Sequence, residues 1–590
     1  MQNAVAFADN DIVVAAWSYG HKLDTCMGFA VYRIDEAGAE TPLPSMAVFP
    51  GFKRKPNQTT KDFPIQKFYW KDPYARLIAD KTGKRKFRYK IVPLEGTPGA
   101  LKPMSIGFVV SNEVEVTPKL SDTLSAYFNR GIISTQHVSD ALGGAPSKGK
   151  LLDRVADQND KLRSDLAGDM IGALVDFVSG VDTAGELYCA LYELGDDQLI
   201  SELEKIGARL HVVLSNPKAS DEQSASGVTD GNNASRNRLK AARADVIDRM
   251  FGNNQIGHNK FAVQVKGGKP VAVLFGSTNW TSTGLCTQTN NTIVSRDAKL
   301  ARRYLDYWKQ LSKDTADAGS DPKALQGAKL RGWDAKSKTL PFEDGAELTS
   351  WFSPNTPALR KTNKATEKWP PDMKDLSDLM LGAKQAILFL AFYPGTPSIA
   401  NWAAQAQRAN KDLFVRGCVT NPSAADGFVY ELKGTTPAKK TKGVKATRVR
   451  QDPRVISAKA LDRVIPEGWK KEILNAGFAV THDKIVVIDP FSDDCVVATG
   501  SHNLGYKASY NNDENLVIVK GERLLAEAYA THVLDIYDHF SWRWMVQEHQ
   551  DKADNMLKVK PDEWQSRYFN DDGTIKAAQL RFWLSALPSA

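Results

Sequence analysis

The sequence predicts an α/β protein made of two pseudo-twofold-related α/β halves with a β-sandwich N-terminal domain. Three observations predict it. The stretch GHNKFAVQVKGGKPVAVLFGSTNW at 257–280 is echoed by HDKIVVIDPFSDDCVVATGSHNLG at 482–505, with an unchanged offset of 224 residues. Upstream of each copy runs the same series of helix, apolar strand, helix and apolar strand. The first 115 or so residues instead carry short alternating strands with no long helical pattern between them. The boundaries drawn from these patterns are 1–115 for the sandwich, 116–340 for the first half and 341–590 for the second.

In the N-terminal region the strands are IVVAAW, GFAVYRI, KFYW and FRYKIVPLEG, a pattern that resembles fibronectin type III or immunoglobulin-like modules. The run KTGKRKFRYK at 81–90 alternates charge with Phe87 and Tyr89, as a strand with one solvated face does, with base stacking as its alternative use. In the first half, YCALY near 188 and the strand closing in LSNP at 214–217 precede a hairpin of FAVQV, the turn KGGKP and VAVLF. In the second, AILFLAF near 386 and the strand closing in VTNP at 419–422 precede KIVVID, the turn PFSDD and CVVAT. Continuously apolar strands imply a sheet covered on both faces, with polar residues at the strand ends facing a shared cleft. Segments 217–245 and 422–455, rich in Ser, Asn, Gly and Lys, read as loop insertions bordering that cleft. The second contains Lys439, Lys440, Lys442, Lys445, Arg448, Arg450 and Arg454, either a solvated loop or an anion-binding rim. Near the end, Phe540, Trp542 and Trp544 read as the core face of a terminal helix, with a peripheral membrane contact as the alternative.

Composition bounds the function. With 590 residues and 42% hydrophobic content the chain forms several cores, and no stretch reaches the roughly 18 uninterrupted apolar residues of a spanning helix. No basic segment followed by an apolar run opens the sequence, so the expectation is a protein cytoplasmic as made, with export by a route needing no cleavable signal left open. Five scattered cysteines lack the close pairs of metal or redox sites, and the net charge of +8 favours anionic partners without choosing between phospholipid and nucleic acid. No cofactor or metal is expected.

The offset pairs His258 with His482, Lys260 with Lys484, Ser277 with Ser501, Asn279 with Asn503 and Asn290 with Glu514. Two such sets brought face to face make a site for a tetrahedral anion, because lysine, asparagine and serine all donate to phosphate oxygens. One imidazole attacks phosphorus while the opposite one protonates the leaving oxygen. The candidate catalytic residues are therefore His258, Lys260, Asn279, His482, Lys484, Asn503, Glu514 and Asp489, with Ser277, Ser501 and Asn290 contacting substrate. The second copy has Asp489 and Glu514 where the first has Val265 and Asn290. A carboxylate beside an imidazole favours its protonated form, which assigns His482 as general acid and His258 as nucleophile.

HxKxxxxD followed by GSxN (His482, Lys484, Asp489, Gly500, Ser501, Asn503), with HxK and GSTN in the other half, resembles the phospholipase D superfamily over roughly residues 160–550. The resemblance implies a two-step, metal-independent transfer through a phosphohistidine. Val265 departs from it at the first Asp position, as in the similar tyrosyl-DNA phosphodiesterase branch. The expected partner is a phosphodiester: a phospholipid head group first, DNA ends or strands as the alternative, and bare phosphate binding without catalysis as a third reading.

Overall fold

The computed structural model describes residues 3–131, 148–217, 229–252, 255–360, 368–436, 449–458, 480–548 and 557–586. Of the basic run from Lys439 to Arg454, residues 439–448 lie outside the described residues, as do residues 218–228.

The internal repeat folds as two sheets with one strand order. In the first half the order is 124–128, 291–295, 269–276, 260–266, 185–191, 210–214 and 245–248. In the second it is 338–341, 347–353, 514–520, 496–500, 484–488, 386–391, 414–419 and 455–457, so seven strands correspond and one is added at the edge. The sheets are mixed. Strands joined by a crossover helix, 185–191 with 210–214 and 386–391 with 414–419, run parallel, and the motif hairpins run antiparallel beside them. Gly267 and Gly268 turn the first hairpin with φ of 54° and 72°, values that suit a residue without Cβ.

The twofold relation is visible in the backbone at the interface. Gln288–Thr289 pairs in parallel with Val480–Thr481, and Ile256 bridges Asn512. These are the same positions exchanged between halves. Each sheet buries its outer face against its own helices, Leu174, Leu199 and Leu203 in one half and Met373, Ile399 and Trp402 in the other. The inner faces share one core, in which the helices Ala298–Ala318 and Arg523–Glu548 lie against the strands. Phe261, Phe275, Tyr304, Phe352, Ile485, Val517 and Tyr529 are sealed there, each contributing about 1.5–3 kcal/mol by leaving water. Phe540 and Trp544 belong to the same core, while Trp542, read with them as the core face, is half-buried outside it.

The N-terminal strands form two facing sheets, 3–8, 13–18 and 69–72 against a six-stranded sheet centred on 28–35 and 86–97. Trp17, Phe29, Val31, Phe87, Tyr89 and Ile91 fill the space between them. Strand 86–97 alternates exposed and buried residues at its start, the single solvated face expected from its charge pattern. The other face of the three-stranded sheet enters the central core, where Phe7 meets Phe491 and Trp583 with ring centroids 5.1 and 5.9 Å apart. The C-terminal segment also packs on this domain: Trp564 Nε1 donates to Cys26 O at 2.8 Å, and Gln565 bonds the backbone of Leu23.

The segments read as loop insertions differ from that reading. Asn233–Ala241 and Pro422–Lys433 are helices, the second started by Asn421, whose side chain accepts from Ser423 N. In the second, the Asn421 cap and Pro422 at the first helical turn favour a helix, and this local chemistry outweighs the polar composition that suggested a loop.

Candidate active site

Each motif histidine lies just before a central strand, 260–266 or 484–488, at the end where the two sheets meet. The Gly-Ser turn follows the neighbouring strand and must pass tightly over the next one. A Cβ on Gly276 would lie 2.2 Å from Asn291 O, and one on Gly500, at φ 143°, would lie 2.3 Å from Asn515 O. Glycine is the residue that permits this approach. Ser277 and Ser501 then fasten the turn: Ser277 Oγ donates to Asn290 Oδ1 at 2.9 Å and accepts from Asn291 N at 3.0 Å, and Ser501 Oγ accepts from Asn515 N at 3.0 Å. Both serines are fully buried. Both hydroxyls are engaged in building the turn.

The histidines face one another with ring centroids 6.4 Å apart and planes inclined at 70°. Tyr192 stacks edgewise on His258 and Phe392 on His482, at 5.0 and 4.7 Å. The partners of the rings are exchanged between halves. Glu514 Oε1 of the second half lies 2.8 Å from His258 Nδ1 of the first, and Asn290 Oδ1 of the first lies 2.8 Å from His482 Nδ1 of the second. The next residues cross likewise: Asn515 Nδ2 donates to Asn259 Oδ1 at 3.0 Å and Asn291 Nδ2 to Asp483 Oδ1 at 2.9 Å. Both acceptors place the ring proton on Nδ1 and leave Nε2 for the cleft.

This crossing overturns the reason given above for the acid. The carboxylate stands beside His258, not His482, because the strand after each Gly-Ser turn reaches across the twofold axis. Asn290 supports His482 through its Oδ1, and its Nδ2 donates to Gly284 O at 2.8 Å. Asp489 is likewise outside the cleft. It follows the far end of strand 484–488 and accepts from the backbone N–H groups of Lys384, Gln385 and Ala386 at 2.7–2.8 Å, fixing the start of strand 386–391. Val265, its counterpart, sits buried in strand 260–266 and pairs with Glu186 across the sheet.

The lysines are buried beside the rings. Lys260 Nζ donates to His258 O at 2.9 Å and lies over the Tyr192 ring at 5.2 Å, while Lys484 Nζ donates to His482 O at 2.6 Å and stands 3.2 Å from His482 Nε2. Burial pushes Lys260 down to about 7, against the pull of Glu193 and Glu514, and pushes Lys484 well down. Burial, then Lys260, lower His258 to about 4 despite Glu514. His482 is lowered well below its ordinary value by burial and by Lys484 and Lys260. Burial pushes Glu514 up, but His258 and the hydrogen bonds it accepts outweigh that and hold it at about 2. Burial and the neighbouring lysines thus bias both imidazoles towards the neutral form.

Asn279 and Asn503 complete the set, each with its Nδ2 turned to a carboxylate: Asn279 to Glu193 Oε2 at 2.5 Å, Asn503 to Glu514 Oε1 at 3.3 Å. Glu193 was not singled out in the sequence. It has no counterpart in the repeat, where Tyr393 follows Phe392, so repetition carried no signal for it. Among the described residues no group of three or more His, Cys, Asp and Glu side chains is gathered as a metal ion would need. The remaining cleft-side histidine, His502, is structural, its Nε2 3.0 Å from Ser509 Oγ and 3.2 Å from Asp372 Oδ2.

A family model described as cardiolipin synthase, PLD-like domain, matches residues 436–532, the stretch that holds His482, Lys484, Ser501, Asn503 and Glu514. The second half thus carries a phospholipase D-like domain around its motif. Among solved structures, the chain is similar to phosphatidylserine synthase from Haemophilus influenzae Rd KW20 at 11% identity and TM-score 0.39, over 63% of this chain and 85% of that one. It is similar to polyphosphate kinase from Porphyromonas gingivalis at 12% identity and TM-score 0.36, over 99% and 81%. It is also similar to yeast tyrosyl-DNA phosphodiesterase at 11% identity and TM-score 0.32, over 59% and 86%. No curated protein matches the sequence. No helix of the described residues is long and apolar enough to cross a membrane.

Proposed function

We propose that the protein cleaves phospholipid head groups in two steps through a phosphohistidine on His258, with no metal. The observation that carries this reading is the opposed pair, His258 and His482, 6.4 Å apart between ring centroids, each with Nδ1 held and Nε2 turned to the cleft. A phosphorus between them lies within reach of the roughly 3–3.5 Å needed for near-attack on either side. Glu514 makes His258 the nucleophile: a carboxylate on Nδ1–H stabilises the positive charge that grows on the ring as the N–P bond forms. His482, held by the neutral Asn290, gives a proton to the departing oxygen and afterwards takes one from the entering water. Lys260 and Lys484 donate to the phosphoryl oxygens. The substrate's negative charge raises their proton affinity and that of His482, which charges the acid when substrate is bound.

The lipid substrate is supported by the description of the matching family model, a cardiolipin synthase domain. The test offers wild type and His258→Ala, in EDTA, mixed phospholipid vesicles and single- and double-stranded DNA in parallel. Head-group release by wild type alone is the expected result. Strand scission without head-group release would replace the lipid reading with a nuclease.

A further inference from the structure

The twofold relation allows each cleft residue to be set against its counterpart, and beyond Asn290 and Glu514 a further position breaks the match. Tyr192 and Phe392 end equivalent strands and both support a histidine. The next residues are Glu193 and Tyr393. Glu514, the other carboxylate at the cleft, is sealed and committed to His258, Asn503 and Asn512. Glu193 is only partly buried, and among the described residues its carboxylate accepts one hydrogen bond, from Asn279 Nδ2 at 2.5 Å. Asn279 is 4% exposed, and its Oδ1 has no hydrogen-bond partner among the described residues. Two acceptors, a carboxylate with about four lone-pair sites and a buried amide oxygen, thus meet beside the phosphate-binding lysines.

An acceptor pair there is unfavourable for phosphate alone, because a carboxylate repels the anion its neighbours attract. It is favourable for a ligand that carries a donor next to its phosphate. A buried acceptor left unmade costs about 1–3 kcal/mol, and a primary ammonium, with three N–H groups and a positive charge, satisfies both oxygens at once.

We propose that Glu193 and Asn279 form a subsite for a primary ammonium carried on the phosphodiester, so that the first half selects substrates with an amino-alcohol next to the scissile phosphate. The subsite rests on the reading of the cleft as a phosphodiester site and names which phosphodiesters it takes. Glu193 positions and selects; it takes no part in the transfer between the histidines.

Calorimetry on the full chain tests it, with phosphoethanolamine and inorganic phosphate as probes and wild type, Glu193→Gln and Glu193→Ala compared. Wild type should bind phosphoethanolamine about tenfold or more tightly than phosphate, and both variants should bring that ratio close to one through loss of phosphoethanolamine alone. Equal affinities in wild type, equal loss of both probes in Glu193→Gln, or binding of neither probe would overturn the proposal. Wild-type turnover of bis(p-nitrophenyl) phosphate reports separately on the phosphodiesterase reading. Selective binding of phosphoethanolamine with no turnover would refute that reading and support the subsite.

Discussion

Glu514→Gln probes the crossed pairing directly. Glu514 Oε1 lies 2.8 Å from His258 Nδ1 and also accepts Asn512 Nδ2 at 3.0 Å, while Oε2 accepts Asn503 N at 2.8 Å. Glutamine keeps the shape but removes the charge and turns an NH₂ donor toward a group that is itself a donor. A hydrogen bond to a charged partner contributes about 1.5–3 kcal/mol, and each 1.4 kcal/mol or so is tenfold in rate. Formation of the phosphohistidine should therefore slow about 10- to 100-fold. The assay is the pre-steady-state burst of p-nitrophenolate from bis(p-nitrophenyl) phosphate, whose leaving group needs no acid and so isolates the attack by His258. Far-ultraviolet dichroism and the melting temperature check that the fold survives. A wild-type burst rate in Glu514→Gln, or a loss confined to the second step, would refute the assignment of Glu514 to the nucleophile.

Asn290→Asp should give His482 a carboxylate partner and raise the basic limb of the pH–rate profile by about one unit or more, and an unmoved limb would count against the acid role. Asp489→Ala should cost about 1–3 kcal/mol in urea unfolding, because three backbone N–H groups lose their acceptor, while kcat/KM stays at the wild-type value. A drop in kcat/KM with unchanged stability would restore Asp489 to the site. His258 is held at about 4 when folded against 6.5 unfolded, so the unfolded chain binds the extra proton in that window. Its contribution is fully present above pH 6.5 and is lost as pH falls to about 4; His258→Asn should flatten this part of the stability curve, and an equally steep loss in the variant would contradict the assignment.

The histidines, lysines and Gly-Ser turns were legible in the sequence because duplication repeats them at one spacing, and repetition separates chemistry from chance. The strands were legible too, since runs such as AILFLA and KIVVI are buried on both faces and need no tertiary information to be recognised. What failed was adjacency across the twofold axis. Glu514 follows its own motif in sequence, but the tight turn at Gly500 sends strand 514–520 to the interface, and its first residue reaches the other half's histidine. Asp489 looked like part of the site because it is seven residues from His482, yet an extended strand carries it about 20 Å away, to the opposite end of the sheet. Glu193 was invisible because the repeat has no second copy of it. The packing of Trp564 and Gln565 on the N-terminal sandwich joins residues more than 500 positions apart, a contact that no local pattern encodes.

The central claim is a covalent phosphohistidine on His258 resolved by His482. His482→Ala with bis(p-nitrophenyl) phosphate tests it most directly: the first step needs no acid, the second lacks its base, and the intermediate accumulates. The account predicts a burst of about one equivalent of p-nitrophenolate, with the acid-labile, base-stable label mapped to His258 and abolished in His258→Ala. A burst that persists in His258→Ala, or a label on any other residue, would contradict it.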